Sequence, residues 1–213
     1  MAVRAPSRPD AQKKTPRAAE QHRDDVALER WLFARLKPTL EASRLVFVDE
    51  SGVNLAMARR YAWSPKGEPA YGEAPVNRGK NQTLIGAVST EGGLVAAMQV
   101  EGAVTGEVFV AYVRQVLAPT LHPGDLVCLD NLSAHKTAAV RAALKAAGAE
   151  VLYLPRYSPE HNPIELMWAA VKRRLRSVGA RTAAALDGAI TQALCGVTAA
   201  DVRGWFQHCG YCV

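Results

Sequence analysis

Two short apolar runs each end in an aspartate, Leu45-Val46-Phe47-Val48-Asp49 and Leu126-Val127-Cys128-Leu129-Asp130. Glu165 follows Asp130 with 34 residues between them and stands in the first turn of a helix-like stretch. Three carboxylates at two strand ends and a helix start are what a pair of divalent cations needs if it is to be held rigidly. Hard oxygen ligands suit magnesium, and two such cations clamp both the attacking and the leaving oxygen of a phosphodiester. Phosphoryl transfer on nucleic acid is the chemistry these residues predict.

Each acid has an ordinary alternative. Asp is a common turn residue, so Asp49 or Asp130 alone would simply open a loop. Ligands of open α/β sheets nevertheless collect beyond the carboxyl ends of strands, and two apolar runs stopping alike at a charge are more persuasive than one. In Asn162-Pro163-Ile164-Glu165 the four residues read as N-cap, N1, N2 and N3, so Glu165 could serve a capping box. The same geometry also places its carboxylate at the mouth of a site. A buried stripe of Ile164, Met167 or Trp168, Val171, Leu175 and Val178 leaves Glu165 on the other face with Lys172 and Arg176. With Arg173 and Arg174 these cations are expected to contact DNA phosphates, a solvated face being the alternative. Asn131 and His135 flank Asp130 and are placed to touch DNA or orient a water. Glu50 should point to the opposite side of its strand from Asp49, which makes it a weaker metal candidate.

The elements that must position these groups follow from periodicity. Residues 1 to about 20 are rich in Ala, Pro, Lys and Arg and predict a disordered basic tail. Val26, Leu28, Trp31, Leu32 and Leu36 suit one amphipathic helix stopped before Pro38. Arg59 to Gly67 reads as an exposed strand and turn. Thr83–Ser89 and Leu94–Val100 make a hairpin. A helix capped by Thr105 ends before Pro119, another runs from His135 to Ala147 ahead of Gly148, and Val151–Leu154 is a further strand. Helices at 163–177, 182–195 and 199–208 complete the chain. Three strands, then helix, strand, helix, strand, helix, predicts an α/β fold with a mixed central sheet flanked by helices on both faces. That order resembles the ribonuclease H-like fold.

The formal charge of +6 favours a polyanionic partner or a solvated basic surface. No apolar run approaches the roughly 20 residues of a membrane span and the start is not a signal peptide, so a cytoplasmic protein is expected. Cys209 and Cys212 form a CxxC beside His208, but no second ligand pair follows at zinc spacing, and the two read as free thiols near a chain end.

Three motifs carry a family resemblance: Val48-Asp49-Glu50-Ser51-Gly52, Leu129-Asp130-Asn131-Leu132-Ser133-Ala134-His135-Lys136, and the run from Leu154 to Glu165 containing Pro155-Arg156-Tyr157-Ser158-Pro159 and Asn162-Pro163-Ile164-Glu165. They resemble the DDE transposases, and most closely the bacterial IS630 branch of the Tc1/mariner superfamily, over about residues 44–210. The resemblance implies a ribonuclease H-like catalytic domain at 44–213 behind a basic N-terminal segment at 1–43. It further implies Asp49, Asp130 and Glu165 as ligands of two Mg²⁺ (or Mn²⁺) ions, cleavage of element ends by water, and joining of the freed 3′-hydroxyl to target DNA. Members of the family carry N-terminal helix-turn-helix domains. Only one helix is legible ahead of residue 44, so end recognition is expected from a separate helix-turn-helix subunit or an upstream reading-frame product, with a homodimer on DNA. A ribonuclease H-like nuclease or resolvase without strand transfer, and a non-enzymatic DNA-binding remnant, are the competing readings.

Overall fold

The computed structural model describes residues 18–213. The expected tail therefore lies almost wholly outside the described residues; its last part, Ala19–His22, forms a single 3-10 turn. Helix α1 spans Asp24–Leu36 and ends at Lys37, before Pro38, where the ring of the proline would clash with the preceding turn. The five strands are β1 (Leu45–Val53), β2 (Gln82–Ser89), β3 (Gly93–Glu101), β4 (Leu126–Leu129) and β5 (Glu150–Tyr153). Their order across the sheet is β3-β2-β1-β4-β5. The first three strands pair antiparallel, and β4 and β5 join parallel to β1 and to each other.

Side chains alternate across this sheet and divide the core in two. On one side Phe47, Leu84 and Cys128 pack under α4 (Ile164–Val178), α5 (Ala183–Cys195) and α6 (Ala199–His208). On the other, Val48, Ile85 and Leu129 pack under α2 (Gly106–Tyr112) and α3 (Ala138–Ala146). Thr105, Thr137, Thr182 and Thr198 each accept from a backbone N–H of the helix they precede, so four of the helices begin at a hydroxyl cap. Helix α1 lies against the α4 side, with Val26 and Phe33 buried.

Several local expectations need correction. Arg59 to Gly67 forms no strand; residues 54–81 are irregular throughout. The helix expected from His135 starts three residues later, at Ala138, because Ser133–Lys136 is a 3-10 turn and Thr137 takes the cap. Strand β1 does not stop at Asp49: pairing with β2 runs on to Val53↔Gln82 and carries the strand four residues further. Val178, assigned to the inward stripe of α4, is 56% exposed, because it lies on the helix's last turn beyond its sheet contacts.

Candidate active site

The parallel pairing of β1 with β4 ends at Phe47↔Cys128. Two residues beyond that last pair stand Asp49, still within β1, and Asp130, just past the end of β4, close enough for the Asp130 carboxylate to act on that of Asp49. Asp49 is thus not at the end of its strand but at the point where β4 leaves it. Alternation turns Asp49 to the α4 side, the side of Phe47 and Val53. There α4 delivers the third acid. Asn162 is extended and Pro163 already helical, so the helix starts where the sequence places it. No capping box closes, however: Asn162 Oδ1 is buried without a partner, and the Glu165 backbone N–H donates instead to the Asn162 carbonyl at 3.1 Å. The Glu165 carboxylate is left facing the cleft. Asp49, Asp130 and Glu165 together line a cleft of about 400 Å³ whose far wall is the Leu154–Pro159 segment.

That wall is tied down from outside. Arg156 donates from Nε and Nη2 to the two oxygens of Glu29 at 3.1 and 2.7 Å, and from Nη2 to Asp25 at 2.7 Å. Arg30 donates to the Tyr157 carbonyl at 2.8 Å and to Ser158 Oγ at 2.7 Å, and pairs with Glu160. Helix α1 thereby clamps the segment in which Tyr157 holds a left-handed φ of 54°.

Electrostatics inside the cleft are those of an uncompensated acid cluster. Burial, then the Glu165 carboxylate, push the Asp49 carboxyl up to about 8, with Glu50 and Asp130 adding to the effect against a hydrogen bond from the Glu50 N–H. Burial pushes Asp130 up as well, but the His135 ring and the Leu132 N–H, which donates to Oδ1 at 2.9 Å, outweigh it and hold that carboxyl below its usual range. Among the described residues no three Asp, Glu, His or Cys side chains already form a metal cage. An acid whose proton is retained by burial and then by its anionic neighbours fits a site that takes cations. Two larger clefts, of about 610 and 600 Å³, lie elsewhere and each contains a single acid, so size does not mark the chemistry here.

His135 corrects an expectation. It makes no surface for DNA: it is fully buried, its ring 4.1 Å from that of Phe109. Nε2 donates to Glu50 Oε1 at 3.0 Å, and Nδ1 lies 2.7 Å from Asp130 Oδ1 as a close electrostatic contact rather than an aligned hydrogen bond. Burial pulls its pKa down, but the two carboxylates prevail and raise it to about 9. Glu50 does point away from Asp49, and what it meets there is this ring. The sequence signal for the contact was only that an acid and a histidine both adjoin the two aspartates. Asn131 lies on the cleft and donates its amide to the Leu154 carbonyl, bridging the ends of β4 and β5. The expected basic cluster divides. Lys172 and Arg176, one turn apart, face the end of β1, whereas Arg173 and Arg174 face α5 and α6.

A mixed five-stranded sheet in this order, with acids where β1 and β4 part and at the start of α4, defines a ribonuclease H-like domain. The sequence matches the DDE superfamily endonucleases over residues 44–187, and the chain belongs to that family. No curated protein matches it significantly. Among solved structures it is similar to the Mos1 transposase paired-end complex with the left transposon end (TM-score 0.75, 19% identity, 93% of this chain and 63% of that one). It is similar also to the Mos1 strand transfer complex (TM-score 0.67, 19% identity, 93% and 63%). The catalytic domain of Mos1 mariner transposase gives a TM-score of 0.61 at 16% identity and covers 93% of both chains. At such identities the likeness is one of fold, and the chain spans about 63% of the length of the Mos1 chain in the paired-end complex.

Proposed function

We propose that the chain acts as the catalytic domain of a Tc1/mariner-type DDE transposase, of the IS630 branch that its motifs resemble. It cuts DNA at the ends of a mobile element and joins the freed 3′-hydroxyl to target DNA. The observation that carries this reading is the meeting of Asp49, Asp130 and Glu165, from three separate elements, on one cleft. These residues would hold Mg²⁺ or Mn²⁺, which bound there would activate the attacking oxygen and offset charge on the leaving one; Mos1 paired-end complexes are known with each of these metals.

The chain's own residues position and exclude. Asp130 is held at the cleft by the buried His135, and Asn131 fixes the β4–β5 junction behind it. Glu165 sits in the first turn of α4, where the helix dipole favours an anion. The clamped Leu154–Pro159 wall keeps the cleft narrow, and Lys172 and Arg176 lie further along the same helix face to meet phosphates. The partners proposed are element-end and target DNA, bound by a pair of copies in the cytoplasm. Among the described residues no single helix is long and apolar enough to cross a membrane.

The test mixes purified protein with a pre-nicked duplex end and supercoiled plasmid in Mg²⁺ or Mn²⁺, beside an Asp130→Ala control. Joined products that vanish in the control are expected. Nicking without joining would replace this reading by a ribonuclease H-like nuclease, and products that survive Asp130→Ala would remove the carboxylate mechanism altogether.

A further inference from the structure

Beyond the carboxylates, β1 and α4 run on together and enclose a second cleft, of about 410 Å³, with Gly52, Val53 and Asn54 on its floor. Four cations line it: Lys172 and Arg176 from α4, and Arg60 and Arg78 from the irregular 54–81 segment. No acid lines it. The segment that brings Arg60 and Arg78 there is held by other arginines. Arg181 donates to the carbonyls of Leu55, Met57 and Glu73 at 3.0–3.3 Å, and Arg59 donates to Ser177 Oγ at 3.2 Å. Those two are committed to the fold, whereas none of the four lining cations has an ion pair or side-chain hydrogen bond among the described residues.

Like charges brought together without a counterion are costly, and the cost is visible. Burial, and then the neighbouring guanidinium of Arg60, hold Arg176 below its ordinary value. Folding has here assembled a positive cleft that the protein does not neutralise itself. The contrast is the cleft on the opposite flank of α4, where Arg173 and Arg174 share their surroundings with Asp201.

We infer that the cleft formed by Arg60, Arg78, Lys172 and Arg176 is a binding site for the phosphodiester backbone of DNA, set to one side of the cutting site. The inference rests on the proposed function and gives it a direction. From Glu165 to Lys172 and Arg176 the helix rises about 10 and 16 Å. At one charge per roughly 3.4 Å of each strand, the phosphates held there lie about three to five nucleotides from the one being cut. The bound strand therefore runs along α4 from its first turn toward its last, and away from the α5–α6 flank.

The full chain, free of metal, is titrated with a labelled duplex by fluorescence anisotropy at several salt concentrations. Two variants of equal charge are compared, Arg60→Gln/Arg176→Gln and Arg173→Gln/Arg174→Gln. The cleft variant is expected to bind roughly tenfold more weakly at low salt, with the slope of log affinity against log salt smaller by close to two. The flank variant should keep the slope of the unmodified chain. The cleft variant should melt no lower than the unmodified protein, since it removes like-charge repulsion rather than a contact, and a melting curve of the flank variant checks that it too is folded. Equal losses in the two variants would reduce the effect to net charge and overturn the inference, as would an unchanged slope in the cleft variant or failure of the unmodified chain to bind. Because no metal or cleavage is involved, a chain that binds through this cleft yet never cuts would overturn the proposed function alone.

Discussion

With no cation beside it, the Asp49 carboxyl titrates at about 8 instead of 3.8. The unfolded chain ionises the same group near the lower value, so between the two it is the native state that holds the proton. Stability associated with Asp49 is therefore full below about pH 4 and is lost as pH rises toward 8. Asp49→Asn removes that loss. In EDTA the variant is expected to melt above the unmodified protein at pH 8 and to converge with it near the unfolded pKa, while metal-dependent cleavage disappears. Melting curves across this range check the sign; a variant that melts lower throughout would contradict it. His135 makes the opposite case, because it is fully buried between Glu50 and Asp130. Removing one partner of a buried charged pair costs about 3–5 kcal/mol, so Glu50→Gln or His135→Asn should each destabilise on that order in urea unfolding. Since both substitutions break one contact, the double variant should cost clearly less than their sum.

At the scale of elements, the cleft depends on how closely α4 approaches the sheet. Gly86 of β2 pairs with Asp49, and a Cβ there would stand 3.0 Å from Trp168 Cη2 and 3.4 Å from Met167 Cε. Gly86→Ala is therefore expected to push α4 outward, costing about 1–3 kcal/mol by overpacking and moving Glu165 away from Asp49. Denaturation together with the cleavage rate measures both; loss of stability with full activity would mean that the helix yields without disturbing the acid. Helix α1 is the second supporting element, and Arg156 joins it to the cleft wall through Glu29 and Asp25. In Arg156→Gln the amides of α1 should exchange faster with solvent while those of the central strands do not. Unchanged α1 protection would assign its docking to Val26 and Phe33 alone.

For the molecule as a whole, the acid cluster predicts stabilisation by divalent cations, because a cation that binds only the native state shifts unfolding by mass action. Mg²⁺ or Mn²⁺ should raise the melting temperature, and more at pH 8 than at pH 6, since Asp49 must release its proton before it can ligate. The rise should vanish in Glu165→Gln. Na⁺ at matched ionic strength controls for screening of the basic surface, and an equal rise with Na⁺ would defeat the prediction.

The sequence by itself determined the acids, the order of the elements and the Thr105 cap. Residue type and periodicity are local properties: a Thr before an amphipathic run, or an Asp after four apolar residues, acts through its neighbours in the chain. Periodicity alone also puts Lys172 and Arg176, four residues apart, on the helix face of Glu165, and Glu50 on the strand face opposite Asp49. Only the tertiary structure decided the rest. Asp49 stands in mid-strand because β2, not the aspartate, sets where β1 ends. His135 turns inward because Glu50 on one strand and Asp130 beyond another meet at its two nitrogens. Arg60 and Arg78 reach α4 because Arg181, more than a hundred residues away in the chain, holds the segment that carries them. Such contacts join groups far apart in sequence, and their energies depend on burial and mutual orientation, quantities that exist only once the chain has folded.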